Sequence, residues 1–333
     1  MSATVKPEKE HFSVLLNELV SIISPLYSGT FIDCTFGQGG VSKKILENPN
    51  NKIIALDRDK KTIIKANNFK EKYKDRFVFK NIKFSQINEV KIEKKDIKAV
   101  IFDLGYSLNQ ILDPEKGLSF NSKGKLNMKL GLNEFSAHEV INCLESKDLE
   151  KIFRYFGEEK KAKIISKKIF ESRKKNFLKT EDLVDILNKI NFNKKSKIHN
   201  ATKIFQSLRI FVNREISELI FGLINSFKML PIGGVIVAIS FHSIEDKIIK
   251  SFFKFSENKN SSRYLPNTKK NTQLFQLLHR KPIVPSRKEI ELNKPSRSAK
   301  LRYAVKINHE QNFNEFINIF KHLIEIENLS KKI

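Results

Sequence analysis

The chain has 333 residues, 40% of them hydrophobic, enough for a substantial core and two domains. Its formal net charge of +25 suits a polyanionic partner, because each neutralised phosphate releases condensed counterions, although Lys, Asn and Ile recur throughout, as a biased base composition would also produce. The apolar runs are too short to span a bilayer, the start has no signal-peptide core, and Cys34 and Cys143 form no C-x-x-C pair, so we expect a soluble cytoplasmic protein with no metal site and no disulfide scaffold.

In chain order, "GTFIDCTF" (29–36) reads as a strand that runs into the glycine turn "GQGG", and "VSKKILEN" as the helix after it. "NKIIALDRD" (51–59) is a second strand ending in an acidic cluster, and "KKTIIKANNFKEKY" a second helix. "RFVFKNIKFS" (76–85) and "IKAVIFDLG" (97–105) are third and fourth strands. Apolar strands separated by helices predict a parallel sheet covered on both faces.

From about 113 to 215 the apolar period becomes helical: Val140, Ile141 and Leu144, then Leu149, Ile152, Phe153 and Phe156, recur three and four apart. "SAHE" (136–139) predicts a capping box, and Thr180 a cap for the amphipathic "TEDLVDILNKI" (180–190). "LPIGGVIVAISFHS" (230–243) restores the strand pattern. Residues 254–295, polar and punctuated by Pro266, Pro282 and Pro285, read mostly as loop, and "SAKLRYAVKI" (298–307) as a final strand. The expected architecture is an α/β domain in two parts, 1–112 and 216–333, interrupted after its fourth strand by a helical insert at 113–215.

Ligands of open α/β sheets sit outside the carboxyl ends of the strands. Gly37, Gly39 and Gly40 fall there, where missing side chains permit close backbone approach. The turn is not G-x-G-x-x-G, since Ser42 holds the third position, nor G-x-x-x-x-G-K-[ST]. Asp57, 17 residues after Gly40 at the end of the second strand, is placed to accept hydrogen bonds from both hydroxyls of a ribose. A short glycine turn, a ribose-holding acid and no phosphate signature suit S-adenosylmethionine, whose ammonium group Asp33 is placed to receive. An ordinary βα turn with a solvated Asp57 is the alternative. Asp103, ending the fourth strand, lies beside the transferable methyl in this architecture or else caps a turn.

Nine segments in order carry a wider likeness: "HFSVLLNELV" (11–20), "DCTFGQGG" (33–40), "LDRD" (56–59), "FDLGYS" (102–107), "KGLSF" (116–120), "FGEEKKAKII" (156–165), "ATKIFQSLRIFVNREI" (201–216), "GGVIVAISFHSIEDKIIKSFF" (233–253) and "RSAKLR" (297–302). On these the chain resembles the bacterial small-subunit ribosomal RNA cytosine-N4 methyltransferases of the MraW type. The resemblance implies a class I, Rossmann-like methyltransferase fold whose helical insert helps recognise RNA. It also implies methylation of a cytidine N4 amino group in the decoding region of 16S ribosomal RNA, in an assembled or nearly assembled 30S subunit. Carried over position by position, the S-adenosylmethionine site would comprise Gly39, Gly40, Val41, Asp57, Phe84, Asp103 and Gln110. Phe84, on its own terms, either covers an adenine or belongs to the core. The chain departs from the family at Val41, where His is usual, in "SLNQ" for Ser-Ser-Pro-Gln, and in "LNMKL" (126–130) for Leu-Asp-Met-Arg-Met. Asn127 therefore lacks a carboxylate, and Lys129 lacks the two-pronged reach of arginine.

The cytosine amine is a poor nucleophile, so orientation and an acceptor for its proton are what an enzyme can supply. Asp103 is the candidate for orienting amine and cofactor. His242, in "SFHSIED", is the second catalytic candidate, or merely fixes its loop. Thr202, Gln206, Arg209 and Asn213 fall at i, i+4, i+7 and i+11 of one helix, opposite Ile204, Leu208, Phe211 and Val212. That polar stripe fits RNA contact, or an ordinary solvated face. Lys300 and Arg302 are candidate phosphate contacts on the last strand. Two competing functions stay open: a non-catalytic ribosome-assembly factor, and a methyltransferase acting on DNA or protein.

Overall fold

The computed structural model describes residues 13–106, 110–111, 113–121, 125–174, 177–190, 199, 201–255, 273–309 and 312–333. Strands β1 (Thr30–Asp33), β2 (Lys52–Leu56), β3 (Phe77–Lys80), β4 (Ile97–Asp103), β5 (Val235–Ser240), β6 (Phe275–Gln276) and β7 (Lys300–Lys306) form one sheet in the order β3-β2-β1-β4-β5-β7-β6. β1 to β5 run parallel, and β7 lies antiparallel between β5 and β6. This is the expected class I methyltransferase architecture. The strand order reverses between β1 and β4, and that switch point opens a crevice at their carboxyl ends.

Alternation along the strands sends residues to two cores. Phe31, Ile53, Ala55, Ala99, Ile101, Val237 and Ile239 pack with α1 (Leu16–Ile23), α2 (Gly40–Leu46) and α3 (Thr62–Tyr73). Ile32, Ile54, Leu56, Val100, Phe102, Ile236 and Ala238 face the other way. Between β4 and β5 come α4 (Ala137–Cys143), α5 (Ser146–Tyr155), α6 (Ala162–Arg173), α7 (Thr180–Asn188), α8 (Ala201–Asn213) and α9 (Glu215–Met229). After β5 come α10 (Ser243–Phe253), α11 (Arg287–Leu292), α12 (Asn314–Ile319) and α13 (Lys321–Glu327). The apolar faces of α4 to α8 join the second core without a break, so the insert shares its interior with the sheet. Among the described residues no helix is long and apolar enough to cross a membrane.

One local expectation needs correction. Ser136 and Glu139 form the capping box of α4, but the cap of α7 is Lys179 and not Thr180. Asp182 reaches back to accept the Lys179 N–H at 2.8 Å, which draws Thr180 into the first turn. Within 254–295 the structure places the short β6, α11 and the start of a 3-10 turn at Lys294, and the other described residues of that stretch lie outside regular elements. Ile283, between Pro282 and Pro285, bridges to Leu301 and so lies against β7. Residues 256–272 lie outside the described residues.

The α8–α9 junction turns on Arg214, held in the left-handed region at φ 50°. Such a turn orphans the first N–H groups of α9, and a side chain from the end of the chain satisfies them. Buried Glu327 accepts from Ile216 N at 2.9 Å and Ser217 N at 3.0 Å, while Arg214 donates to Ser330 Oγ at 2.7 Å. Glu327→Ala is expected to lower the unfolding free energy by about 1–3 kcal/mol, because buried donors lose their acceptor. Urea denaturation measures it; an unchanged midpoint would remove the cap from this account.

Candidate active site

The turn after β1 is built around a carboxylate. Gly37 N–H donates to Asp57 Oδ2 at 2.7 Å, and Asp59 N–H donates to Asp57 Oδ1 at 2.7 Å, which ties the turn to the end of β2. Gly39, at φ 76°, caps α2; a Cβ there would stand 2.6 Å from Phe69 Cζ and 2.9 Å from Phe36 Cε2. Gly40 opens α2. Val41 is buried and packs in the apolar cluster that holds Phe36 and Ile45. Its departure from histidine thus changes packing under the turn.

Two more carboxylates face the same crevice. Asp33 accepts from Ser42 Oγ at 2.7 Å and Thr35 N at 3.2 Å. Asp103 donates its N–H to Thr35 Oγ1 at 2.7 Å, yet its own Oδ1 is buried without a hydrogen-bond partner. Burial raises Asp33 and Asp57 to about 6. Burial, and then the charge of Asp33, raises Asp103 to about 7. Three clustered carboxylates, Asp33 buried and Asp57 and Asp103 half-buried, one with an orphaned oxygen, match a ligand that brings positive charge and N–H or O–H donors. An ammonium, a sulfonium and a ribose diol meet that description, and S-adenosylmethionine carries all three.

Phe84 is wedged against the second core. Its ring lies edge-on to Phe102 at 5.3 Å, and a Cβ on Gly222 of α9 would approach it to 2.5 Å. It is half-buried, which leaves part of the ring free. Gln110 donates to Asp59 Oδ2 at 2.9 Å, and Lys116 from "KGLSF" reaches the same oxygen at 2.6 Å. Burial works against the Asp59 charge, but Lys116 and Gln110 hold its carboxyl below the usual range. Of "SLNQ", Ser107, Leu108 and Asn109 lie outside the described residues. Asn127 donates to Glu115 O at 3.0 Å and accepts from Lys129 N at 3.4 Å, so it closes its loop without needing a carboxylate.

The run Asp57-Arg58-Asp59 therefore points three ways, and only its first member was singled out from sequence. Arg58 donates to Gly131 O at 3.1 Å, Asn213 O at 2.8 Å and Asn133 Oδ1 at 3.3 Å. The signal was the alternation of charge in "LDRD", where the long-range side-chain partners of Arg58 and Asp59 lie 51 to 155 residues away and cannot be read from spacing.

His242 caps α10, its Nδ1 accepting the Glu245 N–H at 3.4 Å. Glu245 in return accepts from Phe241 N at 2.8 Å and His242 N at 3.3 Å. The Glu245 Oε1 stands 3.1 Å from His242 Nε2, an ion-pair distance without hydrogen-bond geometry. Glu215, from the start of α9, brings a carboxylate oxygen within 4.8 Å of both.

The expectation of an open RNA-facing stripe on α8 is corrected. Thr202 is half-buried, and Gln206 donates to Phe156 O at 3.3 Å. Arg209 grips Glu215 through Nε at 2.9 Å and Nη2 at 2.8 Å. Asn213 is 1% exposed; it accepts from Leu130 N at 3.0 Å and donates to Met128 O at 2.9 Å. The stripe turns inward because the chain at 125–133 folds over the end of α8, a contact that helical periodicity does not register. Lys300 and Arg302 both pair with Asp246 of α10, at 3.0 Å and 2.7 Å, so the two cations share one carboxylate.

The profile of the MraW methylase family matches residues 8–307. A Rickettsia bellii (strain OSU 85-389) protein called Ribosomal RNA small subunit methyltransferase H is 40% identical over 306 residues, covering 90% of this chain and 100% of its own. Proteins of the same name from Orientia tsutsugamushi (strain Ikeda) and Afipia carboxidovorans are 39% and 36% identical, covering 90% and 91% of this chain and 98% and 92% of theirs.

Gly39→Ala puts a Cβ against two phenyl rings at a positive φ, and is expected to cost about 1–3 kcal/mol of stability. Thermal unfolding of wild type and variant checks this; equal midpoints would show that the turn is free to relax.

Proposed function

Because the chain belongs to the MraW methylase family, we propose that it transfers the methyl group of S-adenosylmethionine to the N4 amino group of a cytidine in the decoding region of 16S ribosomal RNA. The observation that carries the reading is the crevice of Asp33, Asp57 and Asp103, with the orphaned Asp103 oxygen at its floor. The names of the relatives support small-subunit ribosomal RNA as substrate. The net charge of +25 supports a polyanionic one.

The cofactor supplies a methyl carbon activated by its sulfonium. Asp57 holds the ribose hydroxyls, its backbone turn already braced by Gly37 and Asp59. Asp33 receives the ammonium, with Ser42 keeping its carboxylate oriented. Asp103 Oδ1 accepts a hydrogen bond from the cytosine amine, which draws the lone pair out of conjugation and toward the in-line approach, and it takes up the proton released once the N–C bond has formed. Orientation of amine and methyl accounts for most of the acceleration, to which well-aligned sites contribute about 7–11 kcal/mol. Phe84 and Gln110 bound the adenosine end, and the insert at 113–215 engages the RNA around the target base. That base must be unstacked or flipped to reach the crevice, as in an assembled or nearly assembled 30S subunit.

Labelled S-adenosylmethionine, unmodified 30S subunits and nucleoside analysis test the proposal: N4-methylcytidine should form. Asp103→Ala should lower the rate about 10²-fold or more, the usual worth of a positioned acid or base. If no assembly state of the small subunit accepts a methyl group, the proposal fails. Saturable binding of S-adenosylmethionine in calorimetry, abolished by Asp57→Ala, excludes a merely structural assembly factor.

The raised Asp103 value has two consequences of opposite sense. Its folded value lies above the ordinary one, so its contribution to ligand-free stability is present at acid pH and lost as pH rises through about 7. Transfer needs the ionised carboxylate, so kcat/KM for S-adenosylmethionine, which reports the ligand-free enzyme, should climb through about pH 7 and level off above it. A kcat/KM profile flat between pH 6 and 8 would remove Asp103 as the acceptor.

A further inference from the structure

Arg209 sits where α8 meets α9, its guanidinium laid over the Tyr106 ring at 4.0 Å while its fork closes on both oxygens of Glu215. Tyr106 follows Asp103 by three residues, and its hydroxyl donates to Glu215 Oε1 at 3.2 Å. Glu215 in turn lies beside the His242–Glu245 pair. Four segments therefore meet at one guanidinium: the end of β4, the two helices that close the insert, and the turn into α10. Two carboxylates this close, and the Asp103 charge that Glu245 also faces, repel one another in a buried site unless a cation intervenes. Burial opposes the Glu245 charge, and His242 together with Arg209 keeps it ionised.

We infer that Arg209 is a positioning residue for methyl transfer: by clamping Glu215 it holds the His242 turn against the Asp103 end of the crevice, and it does not bind RNA phosphate. The inference rests on the methyltransferase reading of the crevice, and adds the group that links the insert to its floor. A bidentate pair stacked on an aromatic ring is a fixed geometry, unlike a surface arginine awaiting a phosphate. The groups facing His242 are Glu245 on its own helix, Glu215 on α9, and Arg209 and Tyr106 behind Glu215. Removing the guanidinium leaves the Glu215 and Glu245 carboxylates to repel each other across the His242 turn.

The test is the NMR signal of His242 in histidine-labelled protein at one fixed pH, assigned by its loss in His242→Gln. In Arg209→Gln the signal should shift and broaden as the turn loses its anchor. Arg209→Lys keeps the charge and should leave the signal near wild type, and thermal unfolding identifies any variant that fails to fold. In methyl transfer, Arg209→Gln should lower kcat about tenfold with KM for 30S subunits and its salt dependence within about twofold. An unmoved His242 signal in Arg209→Gln, or a raised KM with a flatter salt response, overturns the inference. Wild-type inactivity on every RNA would instead overturn the function on which it rests, and the NMR comparison would still stand.

Discussion

A carboxylate taken out of water needs a cation or donors, and three of them taken out together need a ligand. Asp33, Asp57 and Asp103 are placed together by sheet topology, since β1 and β4 are neighbours only because the strand order reverses there. The crevice is thus electrostatically expensive without a ligand, and the raised values of all three acids record that expense. Much of the surrounding architecture limits it: the Ser42 hydroxyl, the Thr35 amide and the Gly37 amide each supply a donor. The one oxygen left without a donor, on Asp103, is the one the proposed reaction uses.

The same region also attaches the insert to the sheet. Asp57 serves the crevice, Arg58 reaches the chain at 131–133 and the end of α8, and Asp59 pairs with Lys116 at 2.6 Å. Three consecutive side chains thus connect cofactor turn, insert entry and insert exit. From the other direction Glu327 and Ser330 hold the α8–α9 junction, which sets where Arg209 and Glu215 stand. The insert shares one apolar core with the sheet, so what RNA does to it can be transmitted to the β4 and β5 ends by packing as well as by charge.

Sequence reading placed the residues whose surroundings are local. Asp33, Asp57 and Asp103 each end a strand, and the glycines follow one directly. The capping box at Ser136 is set within four residues. Reading failed where a distant partner decides. Asn213 looked like part of a polar helix face and is buried by the chain at 125–133. Lys300 and Arg302 looked free on a strand and are held by Asp246, fifty-odd residues earlier. Glu215 carried no pattern at all; nothing near it in sequence marks that it meets the His242–Glu245 capping pair.

Alternation and helical period, together with the glycine turn and its following acid, determined the fold class, the order of elements and the rim of the crevice, because each depends on neighbours a few residues apart. Tertiary structure alone decided which charges are spent inside the protein. Apolar burial follows from the residue itself, but the fate of a charge depends on which opposite charge the fold brings within about 4 Å.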